Sequence, residues 1–302
     1  MKEIRDIIRF WEARREQTLA LATLVAARGS SYRRPGARML ISGAGECAGG
    51  LSAGCIEEEV IACGRGVLRS GTPKLMTVDT RLRFGCHGVI EIFVELLRNE
   101  VMAEMRDCVV QRQIYRLETV LLGEPRGTQI AGFDSPSGAF VQTIEPTLRL
   151  ILIGDSSDTL VLRAHATLLG WDVILFDAAP IPAELIDDRT AIVLATHNFG
   201  RDCAALRDLL PMGLRYLGLI GSRRRRDDIL FDVMHDAIAT RASLFAPAGL
   251  HLGAESPEEI ALSIVAEIQC VFEGGTAQHL RQRTAPIHES APRTITCTTS
   301  AA

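Results

Sequence analysis

Residues 148–177 decide the fold of the second half of the chain, and they read LRLILIGDSSDTLVLRAHATLLGWDVILFD. An apolar run at Leu148–Ile153 ends in a glycine. A helical pattern then covers Thr159–Leu169, and a second apolar run follows at Asp172–Phe176. Short apolar runs on either side of a helical segment are typical of two parallel strands joined by a helix. The stretch therefore predicts a β-α-β unit.

The same alternation continues towards residue 275. Three further strands and three further helices are predicted: strands at Ala191–Ala195, Arg215–Ile220 and Leu244–Ala246, and helices at Cys203–Leu210, Arg224–Ile238 and Pro257–Phe272. Parallel strands joined by helices form a sheet that is covered on both faces. We therefore predict an α/β, Rossmann-like domain with a doubly wound parallel sheet over residues 147–275.

The first half of the chain follows a different pattern. An opening helix is indicated by one apolar face that contains Ile4, Ile7, Ile8 and Trp11. Helices are predicted at 56–68 and 101–110, and strands at 18–27, 37–42, 46–48, 75–78, 89–97, 116–122, 128–133 and 139–143. We predict an N-terminal α+β domain with a mixed sheet over residues 1–146. The tail at 276–302, rich in Thr, Ser, Pro and Ala, is predicted to be poorly ordered.

Composition excludes several classes of protein. The 302 residues are 47% hydrophobic and 23% charged, which is typical of a globular protein. A net charge of −4 and 5% aromatic residues argue against nucleic-acid binding. No run of about 18 apolar residues could span a membrane, and no signal peptide is recognisable. We therefore expect a cytoplasmic protein whose eight cysteines are reduced thiols, and no structural zinc site, since none forms a C-x-x-C pair.

A glycine-rich loop, GGLSAGC at residues 49–55, leads into the helix predicted from residue 56. The N-terminus of a helix presents N–H groups that favour an anion or a thiolate. Gly54 and Cys55 are therefore candidate ligand-binding residues, and the Cys55 thiolate is a candidate contact for a soft metal. The three glutamates at 57–59 oppose this field. The alternative is that Cys55 is a small side chain at a crowded turn.

Two other loops of the first half carry candidate residues. The polar, basic loop at residues 29–38 contains Ser30 and Arg38, which suit a phosphate; the alternative is a solvated turn ordered by proline and glycine. In the second loop, Cys86 stands beside His87 between two glycines. This pair is compatible with a metal or a reactive thiol, and a structural role is the alternative.

The loop after the first strand of the second half departs from the dinucleotide fingerprint G-x-G-x-x-G/A. Gly154 occupies the first glycine position, but Ser156 and Thr159 occupy the other two. Asp177 ends the next strand, about where an acid that binds ribose would stand, although it could equally cap a helix. The loop therefore argues against NAD(P) binding, while leaving the fold itself intact.

Two further loops follow predicted strands of this half, at the sheet edge where α/β proteins bind ligands. His197 could contact a ligand or act as a base, or it could cap the next helix. Ser222 and Arg223 begin a segment with four consecutive arginines at residues 223–226. Such a run is unfavourable at a helix N-terminus unless an anion offsets it. The alternative is a solvated surface.

Several motifs occur together in a specific order. The first half contains GSS at 29–31, RPGARM at 34–39, AGCIE at 53–57, GCHG at 85–88 and IEIFVE at 90–95. The second half contains TH at 196–197, GLIGSRR at 218–224 and SPEEIA at 256–261. Together they resemble the xanthine dehydrogenase accessory proteins, the XdhC/CoxI family, over most of residues 15–275. The Gly154 loop departs from the pattern Gly-Ala-Gly-His that this family often has there.

The resemblance implies a maturation chaperone rather than an enzyme. Such a protein binds molybdenum cofactor (molybdopterin) as cargo, with Gly54 and Cys55 at the family position linked to it, and delivers it to a xanthine dehydrogenase-like molybdoenzyme. A cysteine desulfurase is a further expected partner, and we expect a homodimer. Two alternatives stay open: an NAD(P)-dependent oxidoreductase that uses the second domain, and a scaffold that bridges a sulfurase and the apo-enzyme without holding cofactor.

Overall fold

The computed structural model describes residues 2–81, 88–122, 126–131, 139–235 and 238–284. The chain divides after Pro146 into two compact units, of which the second comprises Thr147–Thr284. Of the tail predicted at 276–302, residues 276–284 are described and contain a short 3-10 turn at Leu280–Gln282. No helix in the described ranges is long and apolar enough to cross a membrane.

The N-terminal unit contains three helices and eight strands among its described residues. The helices are α1 (Lys2–Glu12), α2 (Glu57–Ser70) and α3 (Asn99–Val110). The strands are β1 (Ala20–Gly29), β2 (Arg38–Ile41), β3 (Cys47–Gly49), β4 (Lys74–Asp79), β5 (Gly88–Leu96), β6 (Tyr115–Val120), β7 (Gly127–Ile130) and β8 (Ala139–Ile144). They form a five-stranded sheet in the order β3-β2-β1-β5-β4 and a three-stranded sheet in the order β7-β6-β8.

The α+β class of this unit is confirmed, with one correction: its strands form two antiparallel sheets instead of a mixed sheet. Parallel neighbours need a crossover connection. Here β2 pairs with β1 and with β3, its neighbours in the chain, and β4 pairs with β5. After α2 and β4, strand β5 runs back alongside β1 in the antiparallel direction. No parallel pair therefore arises among the described strands of this unit.

Both faces of the five-stranded sheet are buried at its central strand, β1. Alternate residues of β1 point to opposite faces, so that Ala20, Ala22 and Leu24 pack with the apolar side of α2. Leu21 packs on the other face with α1, α3 and the small sheet. Burial on both sides explains why the sequence of β1 is a continuous apolar run.

The second unit confirms the predicted α/β fold. Its helices are α4 (Ser157–Leu168), α5 (Phe199–Leu209), α6 (Arg223–Met234) and α7 (Pro257–Glu273). Its strands are β9 (Arg149–Ile153), β10 (Asp172–Phe176), β11 (Thr190–Leu194), β12 (Tyr216–Leu219) and β13 (Leu244–Phe245). They form one parallel sheet in the order β10-β9-β11-β12-β13.

The helices cover this sheet in two layers. Apolar residues of α4 and α7 pack on one face, and those of α5 and α6 pack on the other. From β9 the chain runs to α4 and the edge strand β10, whereas from β11 it runs to α5 and towards the opposite edge. The strand order therefore reverses between β9 and β11, and the crevice at their carboxyl ends is the place where open α/β sheets bind ligands.

Candidate functional site

Cys55 lies on an exposed turn between β3 and α2. The preceding Gly54 has φ +107°, a conformation that side chains rarely adopt, and among the described residues other than its chain neighbours no atom lies within 4 Å of the place where its Cβ would be. The backbone is thus open on this side of the thiol. A ligand could approach both the Cys55 sulfur and the Gly54 backbone without displacing another part of this unit.

Ser52 and Glu57 hold this turn together. The Ser52 hydroxyl donates to Glu57 Oε2 at 2.5 Å, and the Ser52 N–H donates to Glu57 Oε1 at 2.9 Å. Ser52 Oγ in turn accepts from the N–H groups of Gly54 and Cys55 at 3.1 and 3.2 Å, and the Cys55 thiol lies 3.4 Å from it. The Ile56 N–H donates to Glu57 Oε2 at 3.2 Å.

Of the backbone donors near Cys55, the N–H groups of Ser52, Gly54, Cys55 and Ile56 are therefore already bonded. Partial burial disfavours the charged form of Glu57, but the hydrogen bonds from Ser52 and from backbone N–H groups outweigh burial and lower the pKa of Glu57. Its carboxylate also brings a negative charge to the start of α2, which disfavours an external anion there. What the turn offers a ligand is thus the exposed thiol rather than a ring of N–H groups.

The other candidate residues of the first half are placed differently. Ser30 is exposed, and its carbonyl oxygen lies 2.2 Å from where a Cβ on Gly88 would be, so glycine is needed at the start of β5. Arg38 is only 1% exposed, and its guanidinium donates to the Gly36 carbonyl and to Gln142. Arg38 is thus an interior side chain of this unit. Cys86 lies outside the described residues.

Glu3 is a residue that the sequence pattern did not single out. One of its carboxylate oxygens accepts from the Gly50 N–H at 2.9 Å, and the other pairs with the Arg33 guanidinium. The two partners belong to the two loops at residues 29–38 and 49–55. They are 30 and 47 positions away along the chain, so no local motif could have revealed the contact.

In the second unit, Gly154 lies at the point where the strand order reverses. Its φ is +128°, and a Cβ there would lie 2.4 Å from the Ala195 carbonyl oxygen at the end of β11. The position therefore requires glycine for backbone packing between β9 and β11, whether or not a ligand binds.

His197 connects the two strand ends. Its Nε2 lies 3.0 Å from Asp158 Oδ2 in the first turn of α4, and its φ of +54° is in the left-handed region. Asn198, the next residue, caps α5 by accepting from the Arg201 N–H, so His197 itself is not the cap. Arg201 also donates to the main-chain oxygen of Asp177, whose own side chain is exposed. These contacts place Gly154, Asp177 and His197 around one crevice.

Asp202 extends this network to the next strand end. It is 1% exposed, and its carboxylate accepts from Thr196 Oγ1 at 2.6 Å and from the Arg225 guanidinium at 2.7 Å. Ser222 caps α6 by accepting from the Arg225 N–H at 3.2 Å. The sequence pattern assigned Asp202 no role, because a buried acid cannot be recognised from its neighbours in sequence.

The four arginines at 223–226 have different roles. Arg225 pairs with Asp202, and Arg226 pairs with Asp227 and donates to the Ala246 carbonyl. Arg223 and Arg224 are exposed, and in the described ranges no acid pairs with them. The side chains of Arg223 and Arg224 could therefore bind an anion. The acids Asp155 and Asp158 stand at the start of α4, where the pyrophosphate of a dinucleotide would lie, and they disfavour it.

Among the residues that the structure describes, no three His, Cys, Asp or Glu side chains converge as metal ligands would. The site features therefore belong to two regions. One is the exposed Cys55 thiol on a glycine-rich turn of the N-terminal α+β unit. The other is an acid- and arginine-lined crevice in a doubly wound α/β domain.

Comparisons with known proteins assign both regions to one family. A model described as the XdhC and CoxI family matches residues 12–79, and a model described as the XdhC Rossmann domain matches residues 150–268. The first match contains the turn with Cys55, and the second contains the crevice at Gly154. Together they cover more than half of the chain, which belongs to the XdhC and CoxI family.

Relatives agree with this assignment along nearly their whole length. A Bacillus subtilis protein described as a probable xanthine dehydrogenase subunit is 29% identical, over 84% of this chain and 93% of its own. The Escherichia coli molybdenum cofactor insertion chaperone PaoD is 26% identical, over 83% of this chain and 82% of its own. A solved Bacillus halodurans structure described as a xanthine dehydrogenase shares the fold, with a TM-score of 0.75 at 22% identity, over 94% of this chain and 98% of its own.

Proposed function

We propose that this protein is a maturation chaperone that holds molybdenum cofactor and delivers it to a xanthine dehydrogenase-like molybdoenzyme. The observation that carries the proposal is the exposed Cys55 thiol beside open backbone at Gly54, within the module that matches the XdhC and CoxI family. A relative similar over most of its length is described as a molybdenum cofactor insertion chaperone, which supports the same role.

Cys55 is the residue proposed to contact the cargo. A thiolate suits a soft, sulfur-rich metal centre. Because the Ser52–Glu57 contacts fix the turn, the exposed sulfur can be presented to a large ligand while the backbone keeps its shape. Ser30 and the other exposed residues of the basic loop at 29–38 are proposed to contact the polar edge of the molybdenum cofactor. Arg38 is left out of this set because it is interior.

The test is the pterin content of purified protein from a cell that makes molybdenum cofactor, measured by mass spectrometry. We expect Cys55→Ala to lose most of its bound pterin and to unfold at the same temperature as the wild type, because only an exposed thiol is removed. Cys47→Ala is the matched control, since Cys47 is also an exposed thiol of the same unit. Cys203 is a poorer control because it is 2% exposed in the core.

Two outcomes would reject parts of this proposal. Unchanged pterin in Cys55→Ala, with normal unfolding, would show that Cys55 is not a cofactor residue. A wild-type protein that co-purifies with a desulfurase and the apo-enzyme but carries no pterin would favour the scaffold.

The crevice of the second unit is proposed to serve the same cargo or its partners rather than NAD(P). Arg223, Ser222 and His197 supply polar groups there, whereas Asp155 and Asp158 oppose a pyrophosphate. Calorimetric titration with NADH tests this directly. Saturable binding would instead support the oxidoreductase alternative. We further propose that the protein acts as a cytoplasmic homodimer, which sedimentation of the purified chain would test.

A further inference from the structure

The two loops proposed to face the cargo both contact one side chain, that of Glu3. Glu3 accepts from the Gly50 N–H at 2.9 Å through Oε1, and its Oε2 pairs with Arg33. Gly50 opens the turn that leads to Cys55, and Arg33 lies in the loop that follows β1. The Gly50 N–H is shared with the Arg38 carbonyl oxygen at 3.1 Å, at the end of the basic loop. The Glu3 carboxylate adds the contact from Gly50 to Arg33, in the middle of that loop.

The position of Glu3 is fixed by the packing of α1. Ile7 lies one helical turn further on, on the same face, and is fully buried. Its Cδ1 lies 3.1 Å from where a Cβ on Gly49 would be, so α1 rests directly on the end of β3. With Ile7 anchored there, Glu3 reaches the neighbouring Gly50 N–H.

We propose that Glu3 is a positioning residue: it sets the separation of the Cys55 turn and the basic loop, and thereby the width of the surface that receives the molybdenum cofactor. This inference rests on the proposed function. Glu3 itself need not touch the cargo. Its side chain is 22% exposed, and both of its oxygens are engaged by the two loops.

The chemistry of the contact distinguishes a positioning role from simple stabilisation. A carboxylate can accept from an N–H and a guanidinium at once, and a glutamine retains one amide oxygen for the N–H. An alanine retains neither contact. The conservative variant Glu3→Gln should therefore keep one of the two contacts and fall between the wild type and Glu3→Ala.

The experiment compares wild type, Glu3→Ala, Glu3→Gln and the control Glu12→Ala in the full chain carrying a C-terminal tag. Glu12 is an exposed acid at the end of the same helix, and among the described residues it pairs only with Arg15, three positions further on. Amide hydrogen exchange is followed for peptides that cover residues 29–34 and 50–56. Binding of isolated molybdopterin is measured by fluorescence titration, and unfolding is monitored separately.

We expect Glu3→Ala, which loses both contacts, to exchange faster in both loops and to bind molybdopterin about tenfold more weakly. Glu3→Gln should recover part of this affinity, and Glu12→Ala should match the wild type. Faster exchange with unchanged affinity would overturn the positioning role and leave Glu3 a structural residue. Unchanged exchange in both loops would overturn it as well.

The outcomes also separate this inference from the proposed function. If the wild type binds molybdopterin and Glu3→Ala binds it equally well, the positioning inference alone is wrong. If the wild type binds none, the proposed function is wrong, and the positioning role for that cargo is wrong with it. Arg33→Ala adds a further check, because its effect on affinity should be less than additive with Glu3→Ala if both act through one contact.

Discussion

The Cys55 turn and the crevice at Gly154 both lie at the start of a helix that follows a strand, yet they satisfy their polar groups in opposite ways. At the turn, one carboxylate, Glu57, accepts from Ser52 and from the Ile56 backbone, and the thiol remains exposed. At the crevice, side chains from different strand ends pair with one another, as His197 does with Asp158 and Asp202 with Arg225.

The difference shows that a glycine-rich strand-to-helix turn need not be an anion site. At Cys55, the first residue of the following helix, Glu57, bonds Ser52 and the Ile56 N–H, and the exposed thiol is the reactive side chain of the turn. The crevice instead retains exposed cations at Arg223 and Arg224. The two regions thus offer a ligand different chemistry, and the following substitutions test that contrast.

The largest effect is expected from Asp202→Ala. Asp202 is 1% exposed and accepts from Thr196 and Arg225, so its removal leaves a guanidinium without its buried partner. We expect a loss of about 3 kcal/mol in the free energy of unfolding, measured by urea denaturation. Asp227→Ala, which breaks an exposed pair on α6, should change it by less than about 1 kcal/mol. Equal effects of the two would mean that the crevice is not held by its buried acid.

Asp202 also illustrates how far the sequence could be interpreted. The period of apolar residues predicted the parallel sheet, and the glycines predicted turns at Gly54 and Gly154, because these depend on neighbours in sequence. The pairings of Glu3 with Arg33 and of Asp202 with Arg225 join residues far apart in the chain. Burial of Arg38 likewise depends on Gln142, which is contributed by β8. No local pattern contains that information.

The antiparallel sheets of the first unit have a similar explanation. Each strand was recognisable from its composition, but the direction of pairing depends on which strands become neighbours. The pairing of β1 with β5 brings together segments separated by the whole of α2 and β4. That choice depends on contacts between segments far apart in the chain, which the sequence of a single strand does not show.

The two glycines give the next largest contrast. Gly154→Ala should lower the free energy of unfolding by about 2 kcal/mol or more, because its φ is positive and a Cβ would lie 2.4 Å from a carbonyl oxygen. Gly54→Ala has only the strained φ, with open space around it, and should cost about 1 kcal/mol. Urea denaturation of both variants tests the order. A larger loss for Gly54 would show that the turn, and not the crevice, has the tighter backbone.

A smaller effect is expected at the Cys55 turn when the Glu57 carboxylate is removed or is protonated at low pH. The folded-state pKa of Glu57 is lowered from 4.5, so its contribution to stability is present above that pH and is lost as the pH falls through the lower folded value. Glu57→Gln should be less stable by about 1 kcal/mol at neutral pH, because it loses a charged acceptor. Melting temperatures measured from pH 6 to pH 3 should converge on acidification. Glu58→Gln is the control, as it removes a charge from the same helical turn and leaves the Ser52 contacts in place. A constant difference between wild type and Glu57→Gln at all pH values would show that the Glu57 charge is not what holds the turn.

The smallest effect is expected from breaking the hydrogen bond between His197, which follows β11, and Asp158, which follows β9. The side chain of His197 is 49% exposed, and its hydrogen bond to Asp158 lies near solvent, where such pairs contribute little. Asparagine also tolerates the left-handed conformation of this position, so His197→Asn removes the pair without adding backbone strain. We expect a change of less than about 0.5 kcal/mol in the free energy of unfolding. Asp158→Asn should cost slightly more, because Asp158 also lies in the first turn of α4, where a negative charge is favourable. If His197→Asn lowered the free energy of unfolding as much as Asp202→Ala, the ranking would be wrong. The exposed contact between His197 and Asp158 would then stabilise the crevice as much as the buried Asp202 does.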